Sequence, residues 1–393
     1  MPVSGTESRS SVTSSPDGRR RSTGSAATVP ASTTTLTVTM APSFRVGNLA
    51  PPTDIPADTL CAVSATLAVA PGITAIDTMM LGQRLVTSAY LVDAEEPALV
   101  ETGPATSAAA VRAGLASLGV APDDLAHIVV THIHLDHAGG VGTIAGEFPR
   151  STVWVHERGA PHLADPSRLV ASTERTYGAE QARRYFGAVE PTPRDRLRAV
   201  DEGNEIELGR RTLFVLYTPG HASHHIALAD SETGAVFTGD ALGVHIPDVR
   251  VYRPAIPPPD LDVELGIESI ERIRARARSA LLLSHFGAVT DIDEACEKAT
   301  ERMRAWSETV HGALDHTDDV EKIVSLLTEQ GAKEYLADAG EPIDMERYDV
   351  LSSIRMNALG LIRYWRKREE RERAEADQPS RASRSATSKA PES

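Results

Sequence analysis

Thr131-His132-Ile133-His134-Leu135-Asp136-His137-Ala138-Gly139-Gly140 carries four potential metal ligands within six residues and follows directly on the apolar run Ile128-Val129-Val130. A short apolar run of this kind reads as a buried strand. Alternation on an extended segment puts His132 and His134 on one side, and a turn after them aims Asp136 and His137 toward a second position about one metal–metal spacing away. Imidazole nitrogen and carboxylate oxygen suit zinc or a similar borderline divalent ion, with iron or manganese as alternatives. Strand-end histidines that merely face solvent would not come with further ligands in the same setting. Here they do.

Three more apolar runs end in the same way: Tyr217-Thr218-Pro219-Gly220-His221, Phe237-Thr238-Gly239-Asp240 and Leu281-Leu282-Leu283-Ser284-His285. Each potential ligand sits just past a strand, where a rigid scaffold holds it at the mouth of a pocket. The pattern HxHxDH followed by a distant His, Asp and His resembles the metallo-β-lactamase-fold hydrolases, over roughly Ile73 to His285. That resemblance implies an α/β fold, a four-layer αββα sandwich with two divalent metal ions at one edge of the paired sheets. It also implies the ligands: His132, His134 and His221 for the first ion, Asp136, His137 and His285 for the second, and Asp240 between them. Asp136 is the residue it ties most closely to catalysis. The implied reaction is attack of a metal-activated hydroxide on an ester, thioester or lactone carbonyl of a small-molecule substrate. Asp240 stands where the dizinc β-lactamases use Cys or Ser, so the likeness is to the glyoxalase II, lactonase and phosphodiesterase branches and not to a true β-lactamase.

Val100-Glu101-Thr102-Gly103 departs from the Asp-Thr-Gly usual in that family, and Glu101 is expected to accept a hydrogen bond from a ligating imidazole. His225 is expected to support the site from behind. His156 and His162 lie on a segment that supplies no ligands in the family and are read as pocket-lining at most. His245 and Tyr252, in the Pro-rich stretch after Asp240, are candidates for substrate contacts.

Outward from these motifs, strands are expected at Ile73–Met79, Ser88–Val92, Ala98–Val100, Thr152–Val155, Thr212–Tyr217, Ile226–Ala229, Ala235–Phe237 and Ala280–Leu283, with a helix at Ser107–Leu118. This order signals a layered α/β domain. Helical spacing then governs Ile292–Ala313, Val320–Gln330 and Met345–Arg368. The last carries Leu351, Ile354, Leu359, Ile362 and Trp365, a stripe that must be buried on the same domain, as a lid or otherwise, or on a second copy in a homodimer. Of the first 40 residues 18 are Ser or Thr, with Arg19, Arg20 and Arg21 among them, a composition that cannot offset its ordering entropy. The expected organisation is therefore a disordered tail over 1–58, a catalytic domain over 59–288, a helical extension over 289–372 and a second loose tail over 373–393.

Lys plus Arg number 40 against 55 Asp plus Glu, a formal charge of −15 that repels phosphate backbones and anionic lipid. With no basic cluster near the motifs, a nuclease or phosphodiesterase of the same fold ranks second, and nucleic acid is not an expected partner. A di-iron redox module ranks third, since no flavin-binding domain follows. No run approaches the ~18 apolar residues that span a bilayer, so no membrane partner is expected. Cys61 and Cys296 are too few for a disulfide framework and suit a reducing compartment. The cytoplasm is the expected location, with organelle targeting by the Ser/Thr-rich tail as the alternative.

Overall fold

The computed structural model describes residues 66–246, 251–340, 349 and 352–376. The expected N-terminal tail, the C-terminal tail beyond Ala376 and the start of the helix expected from Met345 lie outside the described residues.

Seven strands form the first sheet in chain order: β1 (Thr66–Ala70), β2 (Ile73–Asp77), β3 (Ser88–Val92), β4 (Ala98–Val100), β5 (His127–Val129), β6 (Thr152–His156) and β7 (Leu197–Val200). The first four pair antiparallel, β2 and β3 across the long connection 78–87, whereas β4 to β7 pair parallel. Parallel pairing needs crossovers. α1 (Ala108–Ser117) supplies the one between β4 and β5, and α2 (Leu135–Ala138) and α3 (Val141–Glu147) lie between β5 and β6. α4 (Ala160–Ala164), α5 (Ser167–Tyr177) and α6 (Ala179–Phe186) lie between β6 and β7.

The chain continues through β8 (Glu205–Leu208), β9 (Arg211–Tyr217), β10 (Ile226–Asp230), β11 (Val236–Gly239), the ribbon β12 (Val244–Ile246) and β13 (Val251–Arg253), α7 (Val263–Arg276), β14 (Leu281–Leu283) and β15 (Gly287–Val289). Except for the ribbon, these strands make a second sheet in the order β15-β14-β11-β10-β9-β8. Helices α8 (Ile292–Leu314), α9 (Val320–Ala339) and α10 (Ile354–Ala376) follow β15 among the described residues. Asp262, Asp291 and Asp319 cap α7, α8 and α9 by accepting from backbone amides one turn in or less.

Three apolar layers follow from the alternation of side chains along the strands. Tyr90, Val100, Val215, Leu228 and Phe237 fill the space between the two sheets. Leu99, Ile128 and Val153 pack outward against Val111 and Leu115 of α1 and Ile144 of α3. Val236, Leu281 and Leu283 pack outward against Ile270 of α7, Met303 and Trp306 of α8, Leu327 of α9 and Leu361 of α10. The architecture is the expected αββα sandwich with C-terminal helices. Those helices are more than an appendage, because their apolar stripe is buried on the second sheet. α9 also runs past the expected end at Gln330, since Gly331 lies against the Trp306 ring and costs the helix only its own flexibility there.

Candidate metal centre

All seven expected ligands converge at one edge of the sandwich. β5 ends at Val129, and His132 and His134 follow on an irregular connection into the one-turn helix α2, which carries Asp136 and His137. His221 lies just beyond the end of β9, Asp240 just beyond β11, and His285 two residues beyond β14. The strand ends thus deliver ligands from both sheets to one place.

Donor atoms of Glu101, His132 and His137 lie within 4.8 Å of one another, but the expected ligands fall into two sets, His132, His134 and His221 on one side and Asp136, His137 and His285 on the other, each within the same limit. Asp240 stands between them. Its Oδ2 is 3.5 Å from His221 Nε2 and 4.0 Å from His132 Nε2, while its Oδ1 is 3.3 Å from His137 Nε2 and 3.6 Å from His285 Nε2. Asp136 Oδ2 lies 3.5 Å from the same two nitrogens of His137 and His285. Its side chain is 25% exposed while that of Asp240 is 5% exposed, so Asp136 is the carboxylate that solvent reaches.

The outer ring nitrogens are anchored, which assigns the tautomers. His221 Nδ1 donates to the Ala255 carbonyl at 2.7 Å and His285 Nδ1 to the Val86 carbonyl at 2.9 Å. Thr131 gives its hydroxyl proton to Glu101, so it accepts from His132 Nδ1 at 3.0 Å. Each of these rings therefore turns a lone pair on Nε2 inward. His132 Nε2, His137 Nε2 and Asp240 Oδ1 are buried and satisfied by no hydrogen bond of proper geometry. Unsatisfied polar atoms at the convergence of a His/Asp set fit a divalent ion.

Electrostatics point the same way. Burial lowers His132, His134 and His221, keeping them neutral, as ligands must be. Burial would raise Asp136 and Asp240, yet His137 and its neighbours hold both carboxyls well below the usual range. Burial also pulls against His137 and His285, but Asp240 and Asp136 outweigh it, lifting His137 well above its ordinary value and His285 to about 9. Buried Asp240 and part-exposed Asp136 thus demand positive charge where imidazole nitrogens meet.

The supporting residues differ in part from expectation. Glu101 is buried and its backbone is left-handed, with φ +66°, a sparsely populated region for a non-glycine residue. It does not hydrogen-bond a ligand: it accepts from the Thr131 amide at 3.2 Å and from the Thr131 hydroxyl, and its other oxygen is 4.0 Å from His137 Nδ1. Its support reaches His132 through Thr131, a residue the sequence reading passed over although it stands next to the ligand. His225 Nε2 accepts from the Asp240 amide at 3.1 Å, and its Nδ1 faces the Thr218 hydroxyl at 2.8 Å. His245 and Tyr252 are not exposed. They are buried on the ribbon with rings 4.7 Å apart, and the His245 amide donates to the His285 carbonyl, so they back a ligand from behind. His156 stacks on Tyr217 at 4.8 Å with Asp201 3.4 Å from its Nε2, and His162 is half-buried on α4.

Comparison with known proteins agrees with this geometry. The family model described as the metallo-beta-lactamase superfamily matches residues 82–285. The metallo-beta-lactamase fold-containing protein ST1585 of Sulfurisphaera tokodaii is 28% identical over 171 residues, covering 43% of this chain and 63% of that protein. Its solved structure superposes with a TM-score of 0.55 at 22% identity, covering 74% of this chain and 98% of that one. The human acyl-coenzyme A thioesterase MBLAC2 is 33% identical over 125 residues, 29% of this chain and 40% of that protein. The N-acyl homoserine lactonase of Bacillus thuringiensis is 26% identical over 185 residues, 46% of this chain and 63% of that protein.

Proposed function

The chain belongs to the metallo-beta-lactamase superfamily of metallo-hydrolases, and from that membership we propose that it is a dinuclear hydrolase acting on an ester, thioester or lactone carbonyl. The carrying observation is Asp240, whose two oxygens face the two histidine sets separately. His132, His134 and His221 would hold one ion, Asp136, His137 and His285 the other, and Asp240 both. Divalent ions there, zinc being the best match to imidazole and carboxylate, supply Lewis acidity to a carbonyl oxygen and lower the pKa of water.

The protein's own groups do the rest. The anchored imidazoles fix where the ions would sit, and Asp136, which solvent reaches, orients the attacking water and takes up its proton at a carboxylate oxygen. No separate serine or cysteine nucleophile is needed. The thioesterase and lactonase names among distant relatives support carbonyl substrates, and the −15 formal charge weighs against a phosphodiester backbone.

The test is a hydrolysis screen of metal-reconstituted protein across lactones, acyl thioesters, aryl esters, phosphodiesters and β-lactams. The proposal expects turnover concentrated in the first three classes and lost in D136A. Turnover confined to phosphodiesters or β-lactams would contradict it.

A further inference from the structure

The two flanks of the donor cluster differ in chemistry. On the His221 side the neighbours are polar: the His224 ring lies 6.2 Å from that of His132 and 5.7 Å from that of His134, and Ser223 donates to Asp260. On the Asp136 side they are apolar. Leu135, the residue before Asp136, is buried in one cluster with Met80 and Val86 of the turn after β2 and with Ala182 and Phe186 of α6. Val86 is also the residue whose carbonyl holds His285.

Tyr177 stands on this flank. It ends α5, its ring meets that of Phe186 edge-on at 5.6 Å and that of Tyr185 at 6.2 Å, and it is 38% exposed. Its hydroxyl makes no hydrogen bond among the described residues. Phe186, on which the ring packs, is buried in the same cluster as Leu135, so Tyr177 reaches the neighbourhood of Asp136 through that cluster.

The turn opposite is held under strain. Met79, Leu81 and Leu85 have φ of +53°, +57° and +61°, unfavourable for side chains of this size. The Asp77 carboxylate fixes both ends, accepting from the Met79 and Leu85 amides at 3.0 Å. The strained turn presents Leu81, which is partly buried against the same cluster. The strained turn and the part-exposed Tyr177 ring meet through the cluster that holds Leu135, next to Asp136, and together offer an apolar surface suited to an aliphatic group.

We propose that this flank seats the acyl chain of the substrate, and that Tyr177 sets the preference for chain length. The inference rests on the carbonyl-hydrolase reading and adds which part of the substrate lies where: the aliphatic chain along α5 and α6 beside Asp136, the polar remainder toward His224 and Asp260.

Metal-loaded wild type, Y177A and Y177F are compared on p-nitrophenyl acetate, butyrate and octanoate, and octanoate and acetate binding is measured by calorimetry. Wild type should favour octanoyl over acetyl in kcat/KM. Y177A should lower that ratio by about tenfold or more, the increment of a few methylenes returned to water, and lower the preference for octanoate over acetate to match. Y177F, which keeps the ring, should retain both preferences. Equal ratios in wild type and Y177A would overturn the proposal, and so would a Y177F as impaired as Y177A. Failure of wild type to cleave any ester would refute the hydrolase reading instead. Octanoate binding would then decide the wall by itself, and equal octanoate and acetate affinities in wild type would overturn it.

Discussion

Replacing His225 by Leu removes two buried hydrogen bonds while leaving a side chain of similar bulk. The ring is fully buried, it accepts from the Asp240 amide at 3.1 Å, and it contacts the Thr218 hydroxyl at 2.8 Å. Burial, reinforced by His221, pushes its pKa down to about 3, so it is a neutral imidazole with one donor and one acceptor, and Leu offers neither. An orphaned buried amide costs roughly 1–3 kcal/mol, and the Thr218 hydroxyl can turn to recover part of its loss, so H225L should destabilise the metal-free protein by about 3 kcal/mol. The pocket has no room to relax: a Cβ at Gly239, whose φ is +53°, would sit 2.3 Å from His225 Nε2. H225Q places an amide oxygen near the position of Nε2, satisfies the Asp240 amide and should cost only about 1 kcal/mol. Urea unfolding monitored by circular dichroism gives the stabilities, and zinc titration against a chromogenic chelator reports whether Asp240 has moved. H225L should lose both stability and zinc affinity, with H225Q recovering most of each. An H225L protein as stable as wild type, or an H225Q protein no better than H225L, would refute this account of how Asp240 is held.

Three further predictions concern the scaffold. Arg211 and Asp230 form a buried bidentate pair at 2.7 and 2.9 Å, so D230A should cost about 3 kcal/mol in urea unfolding by leaving the buried guanidinium only the exposed Glu232, 3.6 Å away, as a charged partner. Burial pushes the Cys296 thiol up to about 12; in a C61S background, iodoacetamide at pH 8 should leave the native protein unmodified and label it after denaturation. Truncation after residue 290 should abolish the cooperative thermal transition, because it strips Cys296, Met303 and Trp306 from the outer face of the second sheet.

Much of the site was legible because its chemistry is local in sequence. Four ligands within six residues, each remaining one just past an apolar strand, need no tertiary knowledge to be gathered. The central strands announced themselves for the same reason: Ser88–Val92 and Ala98–Val100 are fully buried and almost wholly apolar. β8 escaped notice although Glu205-Ile206-Glu207-Leu208 alternates cleanly between exposed and buried. α5 was harder, since Ser167–Tyr177 buries no residue fully and carries mostly polar side chains, so its place depends on packing against α6. The role of Glu101 was not readable. Its left-handed backbone turns the longer carboxylate toward Thr131, and that geometry leaves no mark on composition or spacing.

The central claim is that this chain holds two metal ions joined by Asp240, and metal content measures it most directly. Protein stripped with chelator, reconstituted with zinc, desalted and analysed by inductively coupled plasma mass spectrometry should carry two zinc ions per chain in wild type and clearly fewer in D240A. One ion or none in wild type, with iron and manganese giving no more than zinc, would contradict it.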